Sequence, residues 1–140
     1  MKPHFFFSIA CLIILTIHGH AADGFISSYP SGKKLYSYDG QFIKAYPSGK
    51  KLYRISGDAI KAYPSGKTIF RYQSGFIKNH PSGKKILEIK DCAVKEYPTG
   101  KKVLTFKAPY ICTYPSGKKI LRSSGIIPRV VLALLATGML

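Results

Sequence analysis

Tyr46-Pro47-Ser48-Gly49-Lys50, YPSGK, is the stretch on which the reading of this chain turns. The same pentapeptide begins at Tyr29, Tyr63 and Tyr114, and altered copies begin at His80 (HPSGK) and Tyr97 (YPTGK). The six starts, 29, 46, 63, 80, 97 and 114, are separated by 17 residues each time. Self-similarity at a fixed period marks a repeat architecture in which each unit is one supersecondary element. Pro at the second position suits the fixed φ of a type I turn. The following Gly accepts the left-handed conformation that lets the next strand leave with a bulge. The pentapeptide therefore predicts a β-hairpin corner. Its structural residues are Pro30 and Gly32, Pro47 and Gly49, Pro64 and Gly66, Pro81 and Gly83, Pro98 and Gly100, and Pro115 and Gly117.

The flanks agree. Phe42-Ile43-Lys44-Ala45-Tyr46 and Lys51-Leu52-Tyr53-Arg54-Ile55 are rich in β-branched and aromatic residues and have ordinary strand length. A second set of turn signals joins the far ends of the strands: Tyr38-Asp39-Gly40, Ser56-Gly57-Asp58, Gln73-Ser74-Gly75, Lys90-Asp91-Cys92 and Ala108-Pro109. Each unit thus holds two strands and two turns. The fold class expected is all-β, an antiparallel meander of about twelve short strands from six 17-residue hairpins, with a short C-terminal helix. Gly and Pro recur too often for a helical repeat. A β-solenoid is the competitor, but it stacks the lysines about 4.8 Å apart, where the meander spreads them to roughly 9.6 Å.

The hairpin domain is expected over residues 23–125, after a leader at 1–22 and before an apolar segment at 126–140. Lys2 and the apolar run Phe5 to Ile17, with Gly19 and Ala21 before a cut after Ala22, read as a secretory signal peptide, too short to span a membrane. The mature chain is then 118 of the 140 residues, and its formal charge is +15 once Lys2 has left the +16 of the whole. Periplasmic or extracellular localisation, with surface association, follows.

Side chains alternate along a strand. One face is expected to carry Phe42, Lys44, Tyr46, Lys50, Leu52 and Arg54, the other Ile43, Ala45, Lys51, Tyr53 and Ile55. The second is the more apolar. It needs a cover: the sheet curling on itself, another copy, or the C-terminal segment. That segment ends in Val130 to Leu140, VVLALLATGML, and Pro128 suits a helix start. A helix on the sheet end, a shallow membrane contact and a processed anchor signal all stay open for it.

The tandem hairpins, with an aromatic before a glycine turn from Phe25 to about Ser123, resemble MORN-type repeats, in particular the variant form of bacterial proteins. The departures are the uniform 17-residue period, shorter than MORN units, and the absence of their second glycine motif. The resemblance implies an elongated twisted β-sheet, scaffolding and protein contacts, sometimes contact with phospholipid, and no catalytic residues.

An enzyme needs a convergent acid, base and nucleophile. The acids of the mature chain are Asp23, Asp39, Asp58, Glu88, Asp91 and Glu96, with Asp39, Asp58 and Asp91 in turns. His80 stands in for a repeat tyrosine. No cluster of His and Cys suits a metal, and the Gly-Lys pairs lie between strands, not before a helix. No catalytic residue, metal or cofactor is expected. Cys92 and Cys112 are 20 residues apart at different places in the unit, beyond disulfide reach in an open sheet.

The distinctive chemistry is cationic. Lys33, Lys34, Lys50, Lys51, Lys67, Lys84, Lys85, Lys101, Lys102, Lys118 and Lys119 leave the same corner of successive units. In a meander they line one edge as a ridge, with Lys44, Lys61, Lys78 and Lys95 as a second row. Such a row guards sheet edges, and it also attracts polyanions and anionic membranes. The expectation is a secreted, non-enzymatic repeat protein that binds an anionic surface or polymer through this ridge. Membrane headgroups, lipopolysaccharide and acidic glycans are its candidate ligands. The alternative is a protein-interaction scaffold or secreted effector, docking an acidic or other protein partner, or a second copy, by its apolar face or edge. Nucleic acid is the weaker partner, because a lone lysine reads no sequence.

Overall fold

The computed structural model describes residues 24–140, so the expected leader lies outside the described residues. Six strands run into the corners: β1 (Gly24–Ser28), β3 (Phe42–Ala45), β5 (Ala59–Ala62), β7 (Phe76–Asn79), β9 (Ala93–Glu96) and β11 (Tyr110–Thr113). Six run out: β2 (Lys34–Tyr38), β4 (Lys51–Ser56), β6 (Thr68–Gln73), β8 (Lys85–Lys90), β10 (Lys102–Lys107) and β12 (Lys119–Ser124). One helix follows, α1 (Arg129–Ala136). Each strand pairs antiparallel with the next, which is the twelve-strand meander that the repeat predicts. The sheet does not stay open. β1 also pairs with β12, from Phe25 opposite Ser124 to Ser28 opposite Leu121, and the meander closes into a barrel. The elongated sheet implied by the MORN resemblance is not the shape taken.

The corner differs from the expected turn. Ala45 N–H donates to Lys50 O (2.8 Å) and Gly49 N–H donates to Ala45 O (2.9 Å). These bonds close a four-residue loop, Tyr46 to Gly49. A loop closed from residue 45 to residue 49 is wider than a type I turn, so that assignment is corrected; the Tyr46–Pro47 bond is cis, as it is at each of the six corners. The glycine role holds: Gly49 has φ +74° and Gly66 the same, where a Cβ is disfavoured. The bulge holds too. Ile43 faces Tyr53 and Lys44 faces Lys51, leaving Leu52 unpaired.

That extra residue also corrects the expected faces. Beyond the bulge the alternation slips by one. Lys51 joins Phe42, Lys44 and Arg54 on the outer wall, while Tyr53 and Ile55 stay with Ile43 inside. The equivalents of Leu52 in later units, Ile69, Ile86, Val103 and Ile120, pack against the core.

The core is radial. Ile26, Ile43, Ile60, Ile77, Val94 and Ile111, one from each incoming strand, are at most 1% exposed. They converge on α1, whose consecutive residues Val130, Val131, Leu132, Ala133 and Leu134 are all buried. Five successive residues cover every side of a helix, so α1 is enclosed by the barrel and not laid on its end. The size agrees: strands about 4.8 Å apart give a twelve-strand barrel at least roughly 18 Å across, and a helix with its side chains measures about 10–12 Å. The C-terminal segment thus belongs to the repeat domain as its plug. It turns back at the seam, where a Cβ on Gly24 would lie 2.6 Å from Ile127 Cγ1. The helix ends with Thr137, whose hydroxyl donates to Ala133 O (2.7 Å).

Candidate anion-binding crown

Closure bends the expected ridge into a ring. In a closed meander all six incoming-to-outgoing corners lie at one end. The first lysine after each corner, Lys33, Lys50, Lys67, Lys84, Lys101 and Lys118, is exposed there. Neighbouring corners are two strands apart, roughly 9.6 Å. The backbone beneath each lysine is fixed from both sides: Lys50 N–H donates to Ser48 Oγ (3.3 Å), and Lys50 O accepts from Ala45 N–H. The same serine or threonine contact recurs at Lys33, Lys67, Lys84, Lys101 and Lys118. Each cation stands on a rigid post.

The second lysine of each pair does something else, which the sequence reading missed. Lys51 Nζ lies 4.2 Å from the centroid of Phe42 and 5.6 Å from that of Tyr63, and the two rings meet edge to face at 5.3 Å. The same trio forms from Phe25, Lys34 and Tyr46 and from Phe76, Lys85 and Tyr97. Lys119 completes the ring across the seam, 4.1 Å from Tyr110 and 5.5 Å from Tyr29. Lys102 keeps only its tyrosine, Tyr114 at 5.5 Å, because Ala93 stands where the others have an aromatic ring. In the third unit all three partners change together, to Ala59, Thr68 and His80. Tyr29, Tyr46, Tyr63, Tyr97 and Tyr114 are 41–47% exposed, and they alternate with the crown lysines around the rim. The sequence signal was a spacing: aromatic, lysine nine residues on, tyrosine twelve after that.

The second row is on the outer wall. Lys44 faces Lys51, Lys78 faces Lys85 and Lys95 faces Lys102 across neighbouring strands; Lys61 faces Thr68. Like charges directly opposite are unfavourable. Two aspartates offset part of the cationic wall. Asp39 meets Lys44 (2.8 Å) and accepts from Gln41 and Phe42 N–H. Partial burial pushes its carboxyl up, but these hydrogen bonds outweigh it and hold the group below the usual carboxylate range. Asp58 is held down by hydrogen bonding from Gln73 and by Arg71, 2.8 Å away.

The remaining candidates separate. His80 is exposed on the fourth corner. Cys92 is exposed in the β8–β9 turn and Cys112 is buried on β11, both as free thiols; the expectation for this pair was framed for an open sheet, and the sheet here is closed. Among the described residues no three His, Cys, Asp or Glu side chains gather as a metal site, and no helix is long and apolar enough to cross a membrane. Compared with protein-family models, curated proteins and solved structures, the chain matches none.

Proposed function

We propose that this is a secreted, non-enzymatic repeat protein that binds an anionic surface through the lysine crown, and that a membrane headgroup layer is the surface it fits best. The observation that carries the reading is the ring of six exposed lysines on rigid corners at one end of a closed barrel. A planar array of cations suits a planar array of anions. Each lysine near an anionic lipid surface contributes about 1 kcal/mol. The half-exposed tyrosines between them add amphipathic rings of the kind that rest at headgroup level. The opposed pairs Lys78–Lys85 and Lys95–Lys102 on the wall below favour an anionic ligand as well, since an anion relieves their repulsion.

The barrel sits on such a surface and does not cross it. Its outward strand positions carry Lys44, Arg54, Lys61, Arg71 and Lys78, where a membrane-spanning barrel needs an apolar band. A scaffold role through an apolar face or a free edge, or self-association by that face, loses its surface: the apolar face encloses α1, and pairing of β1 with β12 removes the edge.

Co-sedimentation with vesicles tests the reading. Binding is expected to phosphatidylglycerol-containing vesicles, not to phosphatidylcholine alone, and to weaken as salt rises. Lys50→Glu with Lys101→Glu reduces it by about 30-fold or more, from at least about 1 kcal/mol per lost lysine, with the melting temperature unchanged. Equal binding to neutral vesicles, or indifference to salt and to both reversals, overturns it.

A further inference from the structure

The crown end of the barrel is not filled evenly. A cavity of about 510 Å³ opens there between the end of α1 and β8 to β10. Its floor is Leu87 and Leu104, both buried, and its walls are Ile86, Val103, Ala136 and Met139. Ile86 and Val103 are bulge residues, so the irregularity that sends the next-door lysines outward also shapes this wall. The volume lies within the range of small-molecule pockets, about 300–1,000 Å³.

Charge sets the orientation of an occupant. Within the cavity the polar lining is Glu96, Tyr97 and Thr137. The Thr137 hydroxyl is already engaged with Ala133 O and Leu134 O. The Glu96 carboxylate and the negative end of α1 both oppose an anion inside. At the lip the signs reverse, for Lys84 and Lys101 top the two corners that flank the cavity and both are exposed. A free anion finds its site at the lip and gains nothing from the apolar space. A cationic amphiphile meets the crown head-on. The match is a molecule with its chain inside and its negative head outside.

We infer that this cavity takes the acyl chain of a single-chain anionic amphiphile, with the headgroup held at the lip by Lys84 and Lys101. The headgroup half of the inference rests on the crown reading, whereas the cavity is independent of it. Dodecyl phosphate, below its micelle concentration, is the probe. Calorimetry is expected to show one site, with methyl resonances of Ile86, Val103 and Leu104 shifting on titration. Inorganic phosphate leaves those methyls unmoved, and dodecyltrimethylammonium binds at least tenfold more weakly. Met139→Trp, on a half-exposed tail residue, fills the space and reduces dodecyl phosphate affinity at least tenfold while vesicle binding persists; Val103→Phe does the same from the strand side. Lys84→Gln with Lys101→Gln weakens it about tenfold. Undiminished affinity in folded Met139→Trp, or equal affinity for the cationic amphiphile, overturns the inference. Vesicle binding without dodecyl phosphate binding defeats the cavity alone; dodecyl phosphate binding without vesicle binding defeats the membrane reading alone.

Discussion

The inside and the outside of this barrel are made by the same strands of the same repeat, yet they hold their residues to different standards. Inside, the position immediately before each second-row site reads Ile26, Ile43, Ile60, Ile77, Val94 and Ile111, six aliphatics of nearly one size. Outside, one residue earlier, the same strands read Phe25, Phe42, Ala59, Phe76, Ala93 and Tyr110. The interior residues all abut one small helix, so a change in volume at any of them opens a void or a clash in a space shared by all. The outer residues belong to separate sites, each with its own neighbours, so a difference at one is not passed to the others, although Ala59 and Ala93 are themselves buried. At this incoming-strand position the six-unit symmetry is enforced from within. On the wall it breaks as a set at Ala59, Thr68 and His80, and singly at Ala93.

The largest effect should therefore come from the plug. Leu134→Ala removes a fully buried side chain from the centre of the barrel, and a cost of about 2–5 kcal/mol is expected. Ile60→Ala follows within the same range. Phe42→Ala, one position from an equivalent isoleucine but on the wall, should cost no more than about 2 kcal/mol, the value of an aromatic pair with one exposed cation–π contact. Urea denaturation of the three variants checks the ordering. Equal costs at Leu134 and Phe42 would remove the distinction between the enclosed helix and the wall.

A gain-of-stability experiment sharpens it from the other side. Ala59→Phe, Thr68→Lys and His80→Tyr install in the third unit the trio seen at Phe42, Lys51 and Tyr63. The register is the same, because Ala59 faces Arg71 as Phe42 faces Arg54. About 1–2 kcal/mol is expected from the triple variant, visible as a rise of about 3–6 °C in melting temperature. The single changes should recover much less than a third each, since the edge-to-face pair and the cation above it exist only together. Additive single effects would show that the trios are bystanders on the wall.

How much of this was legible in the chain depends on the range of the interaction that decides each feature. The hairpins, their left-handed glycines and the bulge are local, and YPSGK carries them in five residues. Closure is a property of the whole count of strands and of what fills the middle. A signal existed in Val130 to Leu134, apolar on every side and thus requiring enclosure, but nothing in that segment says which elements enclose it. The lysine row was legible as composition and spacing. Its division into corner lysines and lysines laid over aromatic rings was not, because the bulge at Leu52 shifts Lys51 to the opposite face and that slip follows from the register across strands. The four-residue corner escaped for a related reason: Pro and Gly specify that the chain turns, while the bonds from Ala45 to Lys50 and from Gly49 to Ala45 fix how wide.

The smallest effect lies in the two aspartates that temper the wall. Both Asp39 and Asp58 have their folded-state pKa lowered, so each binds its proton less readily in the barrel than in the unfolded chain. Their contribution to stability is complete above the ordinary carboxylate pKa, about 3.9, and is lost as pH falls through the lower folded values. Melting temperature should accordingly be flat down to about pH 4 and fall below it. Asp39→Asn should remove part of the fall, because its carboxylate is the half-buried one, bonded to Lys44 and to two backbone N–H groups. Asp58→Asn should remove less, since its partners Arg71 and Gln73 are in solvent, where ion pairs contribute little. The same titration separates wall from crown. Losing these carboxylates raises the cationic charge of the wall without touching the six corner lysines, so vesicle binding should strengthen, not weaken, in both variants at neutral pH. Weaker binding would locate the anion's contacts beside the aspartates and not on the rim.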